Sequence, residues 1–375
     1  MKIGIDARFF GLMGKGLGRY TQKLIEHLET IDHENQYVVF LRKENFAEYV
    51  PYNKNFTKVL ADYRWYSFSE QLLFPRLLQK YKFDLMHFPH FNVPLLYRRP
   101  FVLTIHDLIL IHFPTLRGTR LNPLWYWMKY AAYKWIIGSA IARARSIVAV
   151  SEFTKNDIIG QYPMSKEKIN VTHEACDDLC RISNVLPHHI LEKYGIIKPY
   201  LLYVGNAYPH KNLPKLIESF GLVLAKFPDM QLALVGKEDF FYKRLKEDVL
   251  RENVSNVHFL GFVPDQDLDV LYRFTKGYVF PSLYEGFGLP PLEAMAKGAV
   301  VVCSNHACMR EILGDAAYYV DASDADNLAA AIVKVLDDKI LQASLIEKGY
   351  QQIKKYSWDK MARETLEIYK KSGRK

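Results

Sequence analysis

The chain has 375 residues, 49% apolar and 24% charged, the proportions of a packed globular protein long enough for about two domains. That excludes a disordered chain, a collagen-like repeat and a disulfide-dense miniprotein, and only four cysteines in this length suit a reducing cytoplasm. The net charge of +9 is uneven: residues 1–170 hold 24 Lys and Arg against 14 Asp and Glu, the rest 26 against 27, so the first half is expected to face something anionic.

The opening MKIGIDARFF carries a strand, Lys2–Asp6, whose apolar run is interrupted by Asp6 and Arg8. It offers no signal-peptide core, and no uncharged stretch reaches the roughly 18 apolar residues of a spanning helix. The expectation is a cytoplasmic chain, neither exported nor threaded through a membrane. Next comes a loop with Gly11, Gly14, Gly16 and Gly18, and a helix from about Arg19. The spacing fits a dinucleotide fingerprint badly, leaving a phosphate-reaching glycine loop or a plain tight turn. Strands Gln36–Leu41, Phe56–Leu60, Asp84–Phe88, Phe101–Ile105, Ser146–Val150 and Lys168–Thr172 follow. His106 stands at the C-terminal end of one of them, where an α/β crevice opens; it is a ligand contact or a turn residue paired with Asp107. Leu124–Ile137 combines three tryptophans with lysines, which suits a membrane-surface helix, an acceptor wall or a core-facing helix.

His173–Pro199 reads as a linker with one short helix. The second half repeats the pattern with strands Tyr200–Val204, Gln231–Val235, Asn256–Leu260, Gly277–Phe280, Ala299–Cys303 and Ala317–Val320. Short apolar runs alternating with longer amphipathic stretches predict two doubly wound parallel sheets with a ligand cleft between them. Lys211 lies on the loop entering a helix, Leu213–Phe220. Asp265, Asp267 and Asp269 imitate a DxD metal motif, but Pro264–Asp265 reads better as a helix cap with an acidic first turn. Cys176/Cys180 and Cys303/Cys308 lack zinc-site spacing, so no metal is expected. No helix-turn-helix or RNP-like pattern points to nucleic acid. The tail, Ser357–Lys375, is a helical pattern that must dock on something already built.

The richest segment is 281–298. A strand runs into a loop with Glu285, Gly286 and Gly288, and a helix begins near Pro290 or Pro291 with Glu293 in its first turn. Backbone N–H groups and the positive dipole end there suit a phosphate. Two carboxylates eight residues apart can each hold a diol, at opposite ends of one ligand.

Glu285-x7-Glu293 within EGFGLPPLE resembles the signature of the retaining glycosyltransferases of family 4, which have the GT-B fold of two facing Rossmann-like domains. IDARFFGLMGKGLGRY, FVLTIHDL, VAVSEFTKNDI, YVGNAYPHKNLPKLIESF, FLGFVPDQDL and GDAAYYVDASDADNLAAAI agree in the same order, covering nearly the whole chain. Within the family the chain is most similar to the bacterial mannosyltransferase-B-like group of surface-polysaccharide synthesis. The resemblance implies an acceptor-side domain at 1–172, a linker at 173–199, a nucleotide-sugar-binding domain at 200–357 and a crossover helix at 358–375. It implies metal-independent, retaining transfer of a hexose, in that group mannose from GDP-mannose, to a glycan or polyprenyl-linked glycan, with no cofactor beyond the nucleotide-sugar donor.

The implied catalytic set is Glu285, Lys211 and His106. The implied donor contacts are Gly16, Asn206, His210, Gly236, Phe262, Val263, Phe287, Gly288, Leu289 and Glu293. Among these Glu293 would hold the ribose, Glu285 the hexose, Lys211 and Gly16 the diphosphate, and Gly236, Phe262 and Val263 the base. Asn206 and His210 stand where relatives often carry arginine, which shifts phosphate clamping onto Lys211 and backbone amides. A lipid-linked acceptor would bring the basic half against an anionic membrane face. The rival readings are a same-fold transferase making a soluble sugar product and an inactive scaffold that binds sugar nucleotides. The intact Glu285/Glu293 pair and Lys211 argue against the scaffold.

Overall fold

The computed structural model describes residues 1–11, 14–114, 122–163, 166–176, 187–197 and 199–373. It divides into two units, one of Met1–Ile111, Leu121–Glu174 and Ser357–Lys375, the other of His112–Arg120 and Ala175–Tyr356. Of the segment 173–199, His173 and Glu174 fall in the first unit. Each expected strand forms within two residues of its predicted ends.

The first unit is built on seven parallel strands: β1 (Lys2–Asp6), β2 (Gln36–Leu41), β3 (Phe56–Leu60), β4 (Leu85–Phe88), β5 (Phe101–Ile105), β6 (Ser146–Ala149) and β7 (Ile169–Val171). Their order is β3-β2-β1-β4-β5-β6-β7, so the winding reverses between β1 and β4. Every residue of β4 and β5 is buried, as parallel strands covered on both faces must be, which is why they read as unbroken apolar runs. Phe40, Phe74, Phe83, Phe88 and Phe101 form the aromatic centre of the core. The last helix, Trp358–Gly373, packs on the helix Lys15–Ile31 and on β4, β5 and β6. It buries Trp358, Met361, Leu366 and Tyr369. Its Tyr369 hydroxyl lies 2.5 Å from Nδ1 of His87, whose Nε2 lies 2.8 Å from Thr104 Oγ1.

The second unit has six parallel strands: β8 (Tyr200–Val204), β9 (Gln231–Val235), β10 (Val257–Gly261), β11 (Gly277–Phe280), β12 (Val301–Ser304) and β13 (Ala317–Val320). Their order is β10-β9-β8-β11-β12-β13, with the reversal between β8 and β11. Helices Leu213–Leu224 and Ala325–Asp337 cover this sheet and bury Leu216, Ile217, Phe220, Leu328, Ile332 and Val335.

Three local expectations need correction. The first helix begins at Lys15 rather than Arg19, so Gly16 and Gly18 are helical. A Cβ on Gly14 would lie 2.0 Å from the Phe9 carbonyl oxygen, and one on Gly18 2.1 Å from that of Gly11; close backbone packing selects glycine there over helix propensity. The helix Leu289–Ala296 places Glu293 fifth, just past its first turn. The helix Asp265–Phe274 opens at Pro264–Asp265 with Asp265 and Asp267 in its first turn, as expected, but the cap position is Pro264 and no side chain caps it.

Candidate active site

In open parallel sheets, ligands bind at the C-terminal strand edge where the winding reverses. In the second unit the segments leaving that edge at the reversal are those after β8 and β11, carrying Asn206–Lys211 and Pro281–Gly288. They are tied together: the Leu283 N–H donates to the His210 carbonyl at 2.7 Å. Lys211 ends a short 3-10 turn, Pro209–Lys211, and Asn212 follows in the left-handed region at φ 59°. Asn212 Nδ2 donates to the Ala322 carbonyl at 2.6 Å, fixing that turn.

This folding delivers Lys211 Nζ to 2.5 Å from Glu285 Oε1, with the side chains only 11% and 10% exposed. The ammonium also sits 5.2 Å from the Phe280 ring centroid. Lys211 is therefore a buried, paired cation, not a solvated surface lysine. Beside it, burial and the Lys211 charge push His210 down to about 4, so its imidazole is neutral at pH 7.

The loop after β11 passes through Gly288 at φ 94°. That left-handed backbone favours glycine; a Cβ there would lie 2.5 Å from Met309 Cε, the movable end of a flexible side chain. Gly288 precedes the helix Leu289–Ala296, which no side chain caps. Pro290 and Pro291 have no N–H, so donors at this helix end come from the amides preceding them. The Phe287 ring is buried, 5.6 Å from the Tyr356 ring. Glu293 Oε2 accepts the Tyr272 hydroxyl at 3.2 Å, a partner that nothing in the sequence marked.

The remaining candidates of this unit divide. Asn206 closes its own turn: its Oδ1 accepts the Tyr208 N–H at 3.2 Å and its carbonyl the Tyr203 hydroxyl at 2.7 Å. Gly236 donates its N–H to the Gly261 carbonyl at 3.0 Å, and a Cβ on it would meet Gly205 O at 2.1 Å. After β10, Val263 is buried at 4% exposure and Phe262 stands out at 70%, so only Phe262 offers a side chain to solvent. Asp267 accepts Lys193 Nζ and the Tyr194 hydroxyl, each at 2.7 Å, while Asp269 pairs with Arg273 and Lys297. Among the described residues no group of three or more His, Cys, Asp or Glu is placed to hold a metal. Cys180 lies outside the described residues.

In the first unit His106 follows β5, and its partner is Glu174 rather than the neighbouring Asp107. Nδ1 lies 2.8 Å from Glu174 Oε1 and Nε2 3.0 Å from the Pro89 carbonyl oxygen. Burial favours the neutral ring, but Glu174, Asp107 and the Pro89 carbonyl together outweigh it and raise the His106 pKa. Gly16 is the second residue of its helix and exposed, with open space where a Cβ would be. The helix Pro123–Arg143 splits along its length. Ile137, Ala140 and Ile141 are buried, whereas Trp125, Trp127 and Trp135 are 58%, 49% and 64% exposed. Among the described residues no helix is long and apolar enough to cross a membrane.

Residues 191–352 match the family described as Glycosyl transferases group 1, and residues 14–178 match Glycosyltransferase Family 4. The chain is 30% identical to the O-antigen chain mannosyltransferase B of Escherichia coli, over 95% of this chain and 96% of that one. It is 24% identical to the O-antigen chain mannosyltransferase RfbU of Salmonella typhimurium, over 94% of each. Sucrose-phosphate synthase from Thermosynechococcus elongatus superposes with a TM-score of 0.76 at 19% identity, over 99% of this chain and 98% of that one.

Proposed function

The chain belongs to the group 1 and family 4 glycosyltransferases and shares their GT-B architecture, and on that premise we propose that it transfers mannose from GDP-mannose to a lipid-linked glycan with retention of configuration. The supporting observation is the meeting of Lys211 and Glu285 from two loops at the β8/β11 reversal, beside the helix that carries Glu293. Mannose as the sugar is supported by relatives named as O-antigen mannosyltransferases.

In this reading Glu293 accepts the ribose diol and Glu285 the hexose hydroxyls, since a carboxylate is the strongest acceptor for paired O–H donors. Lys211 and the amides at Gly288 and Leu289 stabilise charge growing on the departing diphosphate. Fixed donors aimed at developing charge are usually the largest catalytic contribution. The sugar leaves and the acceptor arrives on the same face, with the diphosphate helping to take the acceptor proton. No metal takes part.

The lipid-linked acceptor is supported by the basic first half and by the exposed tryptophans of Pro123–Arg143, which are suited to an anionic bilayer surface.

Melting shifts with GDP-, UDP- and ADP-sugars test the donor. GDP-mannose at 100 times its dissociation constant should add about 2.7 kcal/mol of stability. Transfer to polyprenyl-linked and soluble acceptors follows, with the product anomer read by NMR and the rate measured with and without EDTA. Stabilisation by no donor, an inverted product, or metal-reversible loss in EDTA each overturns its part of the reading. Donor binding without transfer would favour the scaffold, and transfer only to a soluble sugar the soluble-product enzyme.

A further inference from the structure

Both ring nitrogens of His106 face oxygen acceptors. The Pro89 carbonyl, 3.0 Å from Nε2, has no proton to offer, and an ionised Glu174 carboxylate, 2.8 Å from Nδ1, has none either. A neutral imidazole carries one N–H and satisfies one of them; the other contact would set two lone pairs against each other in a site where the His106 side chain is only 18% exposed. Only the imidazolium makes both contacts hydrogen bonds. The ring is also held from other sides: the Tyr20 ring meets it edge-on at 4.7 Å, and the Thr154 hydroxyl donates to the His106 carbonyl at 3.3 Å.

We propose that Glu174 is a positioning residue that holds His106 doubly protonated and fixed in orientation, so that the histidine acts as a stationary positive charge at the C-terminal end of β5 and not as an acid or base. Whether that charge serves sugar transfer rests on the glycosyltransferase reading above; the pairing itself does not. The other titratable groups around His106 are Asp107, His87 on β4, His90 beyond β4 and Tyr20 on the first helix. His87 and His90 are both held to about 3 and stay neutral, so Glu174 and Asp107 are the anions that set the charge. Nothing in the sequence spacing joins positions 106 and 174. The sheet order does, because β5 and β7 flank β6.

The test is nitrogen-detected NMR of the histidines in the full-length chain, with His106→Asn used to assign the signal. Both His106 nitrogens should be protonated at pH 7 and titrate above the ordinary histidine range near 6.5. In Glu174→Gln the titration should move down by at least one pH unit, while Glu174→Asp should keep part of the shift. Turnover of Glu174→Gln should fall at least tenfold at pH 8 with KM little changed, and recover as pH is lowered and the imidazolium reforms. A purely structural role would give a loss independent of pH. An unmoved His106 signal in Glu174→Gln overturns the proposal. So does an unprotonated Nδ1 in the wild type, which would put the proton on Glu174, and so does an unchanged pH profile. If the wild type transfers no sugar at all, the glycosyltransferase reading fails while the NMR result still decides the pairing.

Discussion

Lys211 and Glu285 neutralise each other, with Nζ 2.5 Å from Oε1 and both side chains about nine-tenths buried. Read as isolated residues, either could be truncated with little effect on folding; as a buried pair they cannot. Removing one partner leaves an uncompensated buried charge. Lys211→Ala should therefore destabilise the protein by on the order of 3 kcal/mol, as well as lowering turnover about 10²–10³-fold. The double variant Lys211→Ala, Glu285→Gln should recover part of the stability and none of the turnover. Urea midpoints for the two singles and the double give the coupling; additive losses would mean that the pair does not act as a unit.

Glu293 already accepts one hydroxyl, from Tyr272 at 3.2 Å, and the residue is half-buried. Glu293→Gln should weaken binding of bare GDP by about 1–3 kcal/mol, because an amide replaces a charged acceptor. Calorimetry with GDP alone isolates this from chemistry. Unchanged GDP affinity would take Glu293 off the ribose.

Trp125 and Trp135 are exposed on a helix that also carries Lys129 and Lys134. The protein should co-sediment with anionic but not neutral vesicles. Binding should weaken as salt shortens the screening length from about 10 Å at 0.1 M towards 3 Å at 1 M. Replacing both tryptophans by alanine should reduce binding at low salt without lowering GDP affinity. Equal failure on both vesicle types at low salt would favour a soluble acceptor.

Acid should destabilise the fold through its buried neutral histidines. His87 is pushed down to about 3 by burial and then by the nearby His106. Below pH 6.5 the unfolded chain binds a proton that the folded chain refuses. The His87 contribution is thus fully present above pH 6.5 and is lost as pH falls towards 3, by about 1.4 kcal/mol per pH unit. His106 has the opposite sign: its raised pKa gives stability that is complete below pH 6.5 and lost as pH rises through the folded value. Urea unfolding between pH 7 and 4 should show the acid loss, with a shallower slope in His87→Asn. Equal slopes would show that His87 is not the titrating group.

The sequence alone determined the strands, their parallel class and the segment holding Glu285, Gly288 and Glu293. A strand buried on both faces reads as an unbroken apolar run, and a loop residue at φ 94° favours glycine. Those are local demands, so they are written locally. Where the turn folds the Phe9 and Gly11 carbonyls back onto Gly14 and Gly18, sequence reading put the helix start four residues late.

Pairings belonged to tertiary structure. Lys211 with Glu285, Tyr272 with Glu293, His106 with Glu174 and His87 with Tyr369 join positions 74, 21, 68 and 282 residues apart. Burial decided their chemistry as well. It turned Lys211 from a surface charge into half of an ion pair, made His210 neutral and left Glu174 to raise the His106 pKa. Residue type says which protons and charges a side chain can carry; the dielectric and the partner around it, which only the fold supplies, determine which it does carry.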